Sequence, residues 1–375
     1  MLCAPNAFKG TLTAAEAAEA MSDGVRDAGL EPIAMPVADG GDGTLDVLLR
    51  SAGDRARITT HTVTGPLGGP VQARLGWLDD TLAVVEMAEA AGLRLLDTQR
   101  LDPLHATSRG AGELIVAALD QRARRVIVGV GGSASTDGGA GALQALGVHL
   151  LDARGGEITT GGEGLAQLHR IDMTDLHPAL RVARIEVAVD VRNPLSGPDG
   201  AAFVFAPQKG ASETEVALLD AALTGFARIA EQQASAAGLA DRPGTGAAGG
   251  AAFGLALIGA TLSPGAALVC DLIGFNAALS DAHLVLTGEG RLDAQTAFGK
   301  APSEVAARAR HAQVPCCAIA GRVIDPLAGV FARVVSLDEI ADATASDEGV
   351  TVLQPMSLLR RASAKLTHEF ARGSQ

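Results

Sequence analysis

Thr287-Gly-Glu-Gly-Arg-Leu-Asp-Ala-Gln-Thr-Ala-Phe-Gly-Lys-Ala-Pro302 decides how the rest of the chain is read. It follows His283-Leu-Val-Leu286, an apolar run that reads as a short buried strand. The stretch then gathers two acids (Glu289, Asp293), two cations (Arg291, Lys300) and three glycines without helical or strand periodicity. It therefore reads as a charged, glycine-punctuated loop that ends in a Pro-started helix. Open α/β sheets place ligands at the carboxyl ends of strands followed by such loops. Acids there suit a divalent metal, and Arg and Lys suit phosphate. The plainer reading is a solvated loop whose glycines only make turns. Recurrence of the same grammar along the chain tells against it.

The N-terminus repeats the grammar. Leu2 to Ala4 reads as a strand, Pro5 to Thr11 as a loop and Ala14 to Ala28 as an Ala-rich helix, with Thr13 and Glu16 at capping-box spacing. Pro32 to Val37, Ala38 to Thr44 and Leu45 to Ser51 form a second strand, loop and helix. Successive units of this kind imply a parallel sheet with right-handed crossovers. The pattern then changes. Ala56 to Thr64, Val71 to Trp77 and Leu82 to Met87 alternate with period two, which predicts an antiparallel meander. A helix over 108–121, strands at Arg125 to Val130, Ile185 to Asp190 and Ala201 to Phe205, and a helix from Glu213 to Gln233 follow. Alternation of strands and helices resumes at His283 and runs through Val314 to Ala320 and Val330 to Leu337. The fold class is α/β. Residues 1–60 and 275–375 are expected to build one discontinuous, Rossmann-like domain around a doubly wound parallel sheet. Residues 61–274 are expected to form an inserted α/β domain containing the antiparallel strands.

Composition excludes several functions. The formal net charge of −13 opposes a phosphate-backbone or anionic-membrane partner. Aromatics at 3%, with no Tyr and one Trp, leave little for base stacking. Cys3, Cys270, Cys316 and Cys317 lack metal or redox spacing, and no basic-then-apolar leader opens the chain, so a cytoplasmic location is expected. The uncharged run from Gly244 to Cys270 is long enough to span a bilayer, but its glycines and Pro264 favour a buried Gly/Ala-rich helix entered through a glycine loop. The histidines show no zinc spacing, and no serine-hydrolase elbow is present.

Several constellations carry chemistry. Val130-Gly-Gly-Ser-Ala-Ser-Thr-Asp-Gly-Gly-Ala-Gly141 follows a strand and opens a helix, where backbone amides face a phosphate. Tight backbone packing is the alternative use of those glycines. It is neither a Walker A motif nor a dinucleotide fingerprint. Pro207-Gln-Lys-Gly-Ala-Ser212 sets Lys209 ahead of a helix, where it can serve a phosphoryl oxygen as a point charge or simply be a surface cation. Asp190 ends a strand, as a metal ligand, a proton acceptor or a turn-capping residue before Asn193-Pro194. Asp39 and Asp42, three residues apart, suit an acid pair for a polyol or a metal.

Together, Pro5-Asn-Ala-Phe-Lys-Gly-Thr11, Val37-Ala-Asp-Gly-Gly-Asp-Gly-Thr44, the 130–141 run, Ala206-Pro-Gln-Lys-Gly-Ala211, Gly244-Thr-Gly-Ala-Ala-Gly-Gly250 and Thr287 to Thr296 resemble the bacterial glycerate kinases of the first, two-domain class. The matches run in order from Pro5 to about Ala320. Small departures exist: only Met1 to Ala4 precede Pro5, Asn6-Ala7 stands where the family commonly has Asp-Ser, and Asp42 where it often has Glu. The resemblance implies ATP- and Mg²⁺-dependent phosphorylation of D-glycerate to 2-phosphoglycerate by a cytoplasmic monomer or homodimer. Alternatives are 3-phosphoglycerate as product, another small hydroxy acid as substrate, or a non-catalytic nucleotide- or carboxylate-binding protein. Under this resemblance Gly131, Gly132, Ser133, Ser135, Lys209, Gly246 and Gly249 hold nucleotide phosphates. Glu289 and Asp293 hold the metal, while Asn6, Lys9, Asp39, Asp42 and Arg291 hold glycerate. Asp190 is the preferred base, with Lys9 beside it in catalysis.

Overall fold

The computed structural model describes residues 1–234, 236–294, 296, 299–341 and 354–373. The chain divides into two compact units. One comprises residues 1–39, 46–51 and 266–375, the other residues 40–45 and 52–265. The sequence reading set the corresponding boundaries at 60 and 275.

Among the described residues, the first unit is built on a five-stranded sheet whose neighbours all run parallel. Its strands are β1 (Leu2–Pro5), β2 (Ile33–Ala34), β11 (Val285–Leu292), β12 (Cys316–Val323) and β13 (Arg333–Ser336), in the order β13-β12-β11-β1-β2. β2 pairs for only two residues, shorter than expected. Even so, Met35 N–H to Cys3 O and Val37 N–H to Pro5 O keep the following segment alongside β1. The helix Ala14–Asp27 starts at Thr13, whose side chain and that of Glu16 complete the capping box. It packs on the C-terminal helix Pro355–Gly373 at Gly24, where a methyl group would overlap the Arg360 carbonyl. Asp27 accepts two hydrogen bonds from the Arg360 guanidinium at the same contact. Cys3, Met21, Val25, Leu286, Ile319, Leu359 and Leu366 form the core.

β11 departs from the sequence reading. The segment Thr287 to Leu292, expected as loop, continues the strand. Thr287 and Gly288 lie between β1 and β12, whereas the chain beyond them has lost β1 as a neighbour and pairs only with β12. Charged side chains are tolerated there because one flank of the strand is no longer closed by the sheet. Glycine is required at Gly288, where a side chain would overlap the Ile319 carbonyl. Gly288→Ala is expected to cost about 1–3 kcal/mol by overpacking, seen as a lower urea midpoint. An unchanged midpoint contradicts this account of the strand.

The second unit is built on a mixed six-stranded sheet in the order β10-β9-β6-β5-β4-β3. β3 (Arg57–Thr64), β4 (Pro70–Trp77) and β5 (Leu82–Glu86) form the expected antiparallel meander. β5, β6 (Arg125–Gly129), β9 (Arg184–Val189) and β10 (Thr261–Pro264) run parallel. A small antiparallel pair, β7 (His149–Leu151) with β8 (Arg170–Asp172), stands apart. Trp77 is buried, and the Arg57 guanidinium lies 4.5 Å from its ring centre.

One prediction fails here. Ala201–Phe205 is helical rather than a strand. Its buried Ala201 and Ala202 precede exposed Phe203 and Val204, a helical grouping that an alternating strand would not give. In the 244–270 run, the glycine-rich 244–250 segment leads into the buried helix Ala251–Leu257, which β10 separates from a second helix, Gly265–Leu272. Gly259, at φ +94°, ends the first of these helices. No helix among the described residues is long and apolar enough to cross a membrane.

Candidate active site

In the second unit, the strand register aligns Glu86 of β5 with Gly129 of β6, and Gly129 with Ala188 of β9. The carboxyl ends of three adjacent parallel strands thus bring together Glu86, the 130–136 loop and Asp190, which directly follows β9. This is where an open α/β sheet presents ligand groups. The Gly40-Gly41-Asp42-Gly43 turn lies against the same edge. Gly131 donates from its N–H to Gly40 O at 3.0 Å. A methyl on Gly132 would stand 2.7 Å from an Asp42 carboxylate oxygen, so glycine there lets that carboxylate approach. Gly40 in turn faces the Ala188 carbonyl of β9.

Lys209 is almost fully buried. Its ammonium donates to Ser133 Oγ at 3.1 Å and to Ser135 O at 2.5 Å. Burial drives its pKa down to about 7, with the Asp137 carboxylate opposing the shift. Asp137 accepts hydrogen bonds from Ser108 N–H, Ser108 Oγ–H, Gly139 N–H and Gly141 N–H, which fixes the start of the next helix. The Ser135 and Thr136 hydroxyls are buried with no hydrogen-bond partner among the described residues. Such groups are costly unless something satisfies them. Gly246 and Gly249 serve close backbone packing. Side chains there would overlap the Pro194 and Ser135 carbonyls respectively, and Gly138 donates to Gly249 O. Gly249 thus backs the 130–136 loop, whereas Gly246 packs on the 193–194 segment.

In the first unit, Asn6 N–H donates to Gly288 O at 2.8 Å, and its amide Nδ2 donates to Asp39 Oδ2 at 3.2 Å. Lys9 lies beside this group, its backbone packing against Gly290. Thr296 Oγ1 donates to Glu289 Oε1 at 2.6 Å. Burial raises the Glu289 pKa, the carboxylates of Asp39 and Asp293 add to the rise, and Thr296 and Lys300 oppose it. Arg291 pairs with Asp293 at 3.0 Å. Gln295, Ala297 and Phe298 of the opening stretch lie outside the described residues.

Each of the two acids Asp39 and Asp42 has its own neighbours within its unit. Asp39 turns to Asn6, and Asp42 to Gly132 and Arg94, whose guanidinium is 3.8 Å away. Among the described residues, no three His, Cys, Asp or Glu side chains converge as a complete metal cage. The four cysteines are free and buried, and burial raises the thiol pKa values, those of Cys3 and Cys317 to about 11.

Sequence reading missed the acids after β5. Glu86 accepts from Gly43 N–H at 3.2 Å and Leu45 N–H at 2.9 Å. Glu89 binds the Arg74 guanidinium through both oxygens and Arg94 at 2.5 Å. The signal was available: Glu86 is an acid at a strand's carboxyl end, the feature that singled out Asp190.

The sequence profile described as the Glycerate kinase family matches residues 1–370. The chain belongs to the glycerate kinase family. It is 46% identical over 327 residues to a glycerate kinase of Bacillus subtilis (strain 168), covering 86% of this chain and 85% of that protein. Identity to a glycerate 2-kinase of Escherichia coli (strain K12) is 43% over 329 residues, covering 87% and 86%. A crystal structure from Salmonella typhimurium LT2, assigned as a glycerate kinase 2, superposes with a TM-score of 0.83 at 39% identity, covering 100% of this chain and 98% of that one. The protein is therefore a two-domain α/β glycerate kinase, a phosphotransferase.

Proposed function

We propose that this glycerate kinase transfers the γ-phosphoryl group of ATP to the C2 hydroxyl of D-glycerate, giving 2-phosphoglycerate and ADP. The observation that carries the chemistry is the placement of the 130–136 loop and Asp190 at the ends of adjacent parallel strands. The name of the Escherichia coli relative, glycerate 2-kinase, supports the choice of C2.

Phosphoryl transfer asks the protein to hold phosphate oxygens, neutralise charge and orient a hydroxyl. The Gly131–Ser135 loop supplies backbone amides and hydroxyls for the phosphates, and the Ser135 and Thr136 hydroxyls stand ready to donate. Lys209 holds that loop in shape and places a cation behind it. Asp190 accepts the proton of the attacking hydroxyl. Asn6, Lys9, Asp39, Asp42 and Arg291 are assigned to glycerate, with a basic group for its carboxylate.

The donor set fits Mg²⁺. Glu289 and Asp293 are oxygen ligands whose mutual repulsion a cation would relieve. Mg²⁺ commonly takes only one or two carboxylates, filling its shell with water and phosphate oxygens, so a complete protein cage is not required. When bound, it neutralises charge on the phosphoryl oxygens. A cytoplasmic location accords with the reduced, buried cysteines.

Substrate choice is tested by ADP formation with ATP, Mg²⁺ and, in turn, D-glycerate, L-glycerate, glycolate and D-lactate. D-Glycerate is expected to give the highest kcat/KM. Equal or faster turnover of D-lactate would reassign the substrate.

A further inference from the structure

Glu86 has no contact role in the proposed chemistry, yet it is 2% exposed at the end of β5, within the site. Its two carboxylate oxygens divide their work. Oε1 accepts from Gly43 N–H and Oε2 from Leu45 N–H, two amides at the start of the helix Thr44–Ala52. Those amides would otherwise be orphaned donors of a helix N-terminus. The same turn is also held by Gly131 N–H, which donates to Gly40 O, and locally by Thr44 Oγ1, which donates to Gly41 O and accepts from Gly40 N–H. Asp42 lies inside the turn thus secured, with its carboxylate against Gly132.

We infer that Glu86 is a positioning residue for the reaction, whose ionised carboxylate fastens the 40–45 turn so that Asp42 is held in place for glycerate. The inference rests on the proposed assignment of Asp42 to glycerate. Both oxygens must accept for both amides to be satisfied, and only the carboxylate form offers two full acceptors. A protonated Glu86 offers one carbonyl oxygen and a competing O–H donor, so one amide of the turn loses its partner.

The surroundings place this switch near neutrality. Burial raises the Glu86 pKa to about 7, the two amides oppose the rise, and the carboxylates of Asp42 on the turn and Glu89 on the following helix add to it. Arg74 and Arg94 stand behind Glu89 and are bound to it, so they soften the Glu89 contribution. Glycerate's own carboxyl stays ionised above pH 5 and contributes no titration in this range.

The test is the pH dependence of KM for D-glycerate at saturating ATP and Mg²⁺, between pH 5.5 and 8.5, in the wild type and in Glu86→Gln. In the wild type, KM is expected to fall about tenfold as pH rises through 7, with kcat changing less. Glu86→Gln keeps one acceptor and places an NH₂ donor against the second amide. Its KM is expected to stay raised about tenfold at pH 8.5 and to be flat with pH, with kcat near the wild-type value. A purely structural role would lower thermal stability while leaving the shape of the KM profile intact. A wild-type KM independent of pH overturns the inference without recourse to any variant, as does a folded Glu86→Gln that keeps the wild-type KM and profile. Absence of turnover with D-glycerate at every pH would instead sink the proposed function and the inference with it.

Discussion

Asp190→Asn is expected to lower kcat at least about a hundredfold while leaving the fold and KM for ATP close to wild type. The magnitude is that of a lost general base. Asp190 is placed by β9, whose Ala188 is in register with Gly129, directly before the 130–136 loop. Asp190 directly follows the strand end against which Gly40 packs, at the Ala188 carbonyl. Asparagine preserves size and hydrogen bonding but cannot accept a proton from the attacking hydroxyl. Steady-state kinetics on the folded variant decide the matter. Turnover within a few-fold of wild type would remove Asp190 from the mechanism.

Lys209→Ala is the second large effect. The ammonium is buried and spends its hydrogen bonds on Ser133 Oγ and Ser135 O, within the loop that carries the phosphate assignment. Truncation leaves the Ser135 carbonyl without its donor and opens a void behind the loop. KM for ATP is expected to rise, or kcat to fall, by about tenfold or more, with glycerate affinity little changed. Titration calorimetry with each ligand separates the two, and loss of glycerate affinity alone would move Lys209 to the other substrate.

The same burial makes Lys209 a pH-sensitive element of stability. Its folded-state pKa, about 7, lies below the unfolded value of 10.5, so the unfolded chain binds the extra proton between those limits. Stability from this group therefore rises with pH from about 7 towards 10.5. Against Lys209→Met, the wild type is expected to gain stability between pH 7 and pH 9.5 in denaturant titrations. Parallel profiles would contradict the burial account.

Much of the fold could be read from periodicity. The meander β3–β5 follows from period-two alternation closed by Gly-Pro and Asp-Asp turns, and the helix Glu213–Gln233 was placed at the observed bounds. The failures share a cause: tertiary neighbours overrode local pattern. Gly288 to Leu292 look like loop because glycine and charge dominate, yet β12 offers them a ladder, and Gly321 allows close approach to Gly290. Ala201–Phe205 looks like a strand by composition, but partial burial of a single helical turn suits it better.

Site residues were legible as types rather than as geometry. Glycine runs after strands marked the loops, but which glycines face a ligand and which admit a neighbouring backbone depends on pairings such as Gly249 with Ser135 that no spacing encodes. Asp39 and Asp42 stand three residues apart and yet serve different neighbours. Glu86 is legible as an acid at a strand end, but its bonds to backbone amides more than 40 positions earlier in the chain are not.

Phosphorus NMR of the product from ATP, Mg²⁺ and D-glycerate tests the central claim most directly. A phosphoryl group on the C2 oxygen couples to the single C2 proton, so the account predicts a new doublet that grows with ADP. A triplet, from coupling to the two C3 protons, would establish 3-phosphoglycerate and contradict the proposed regiochemistry. Growth of ADP with inorganic phosphate alone would contradict phosphorylation of glycerate altogether.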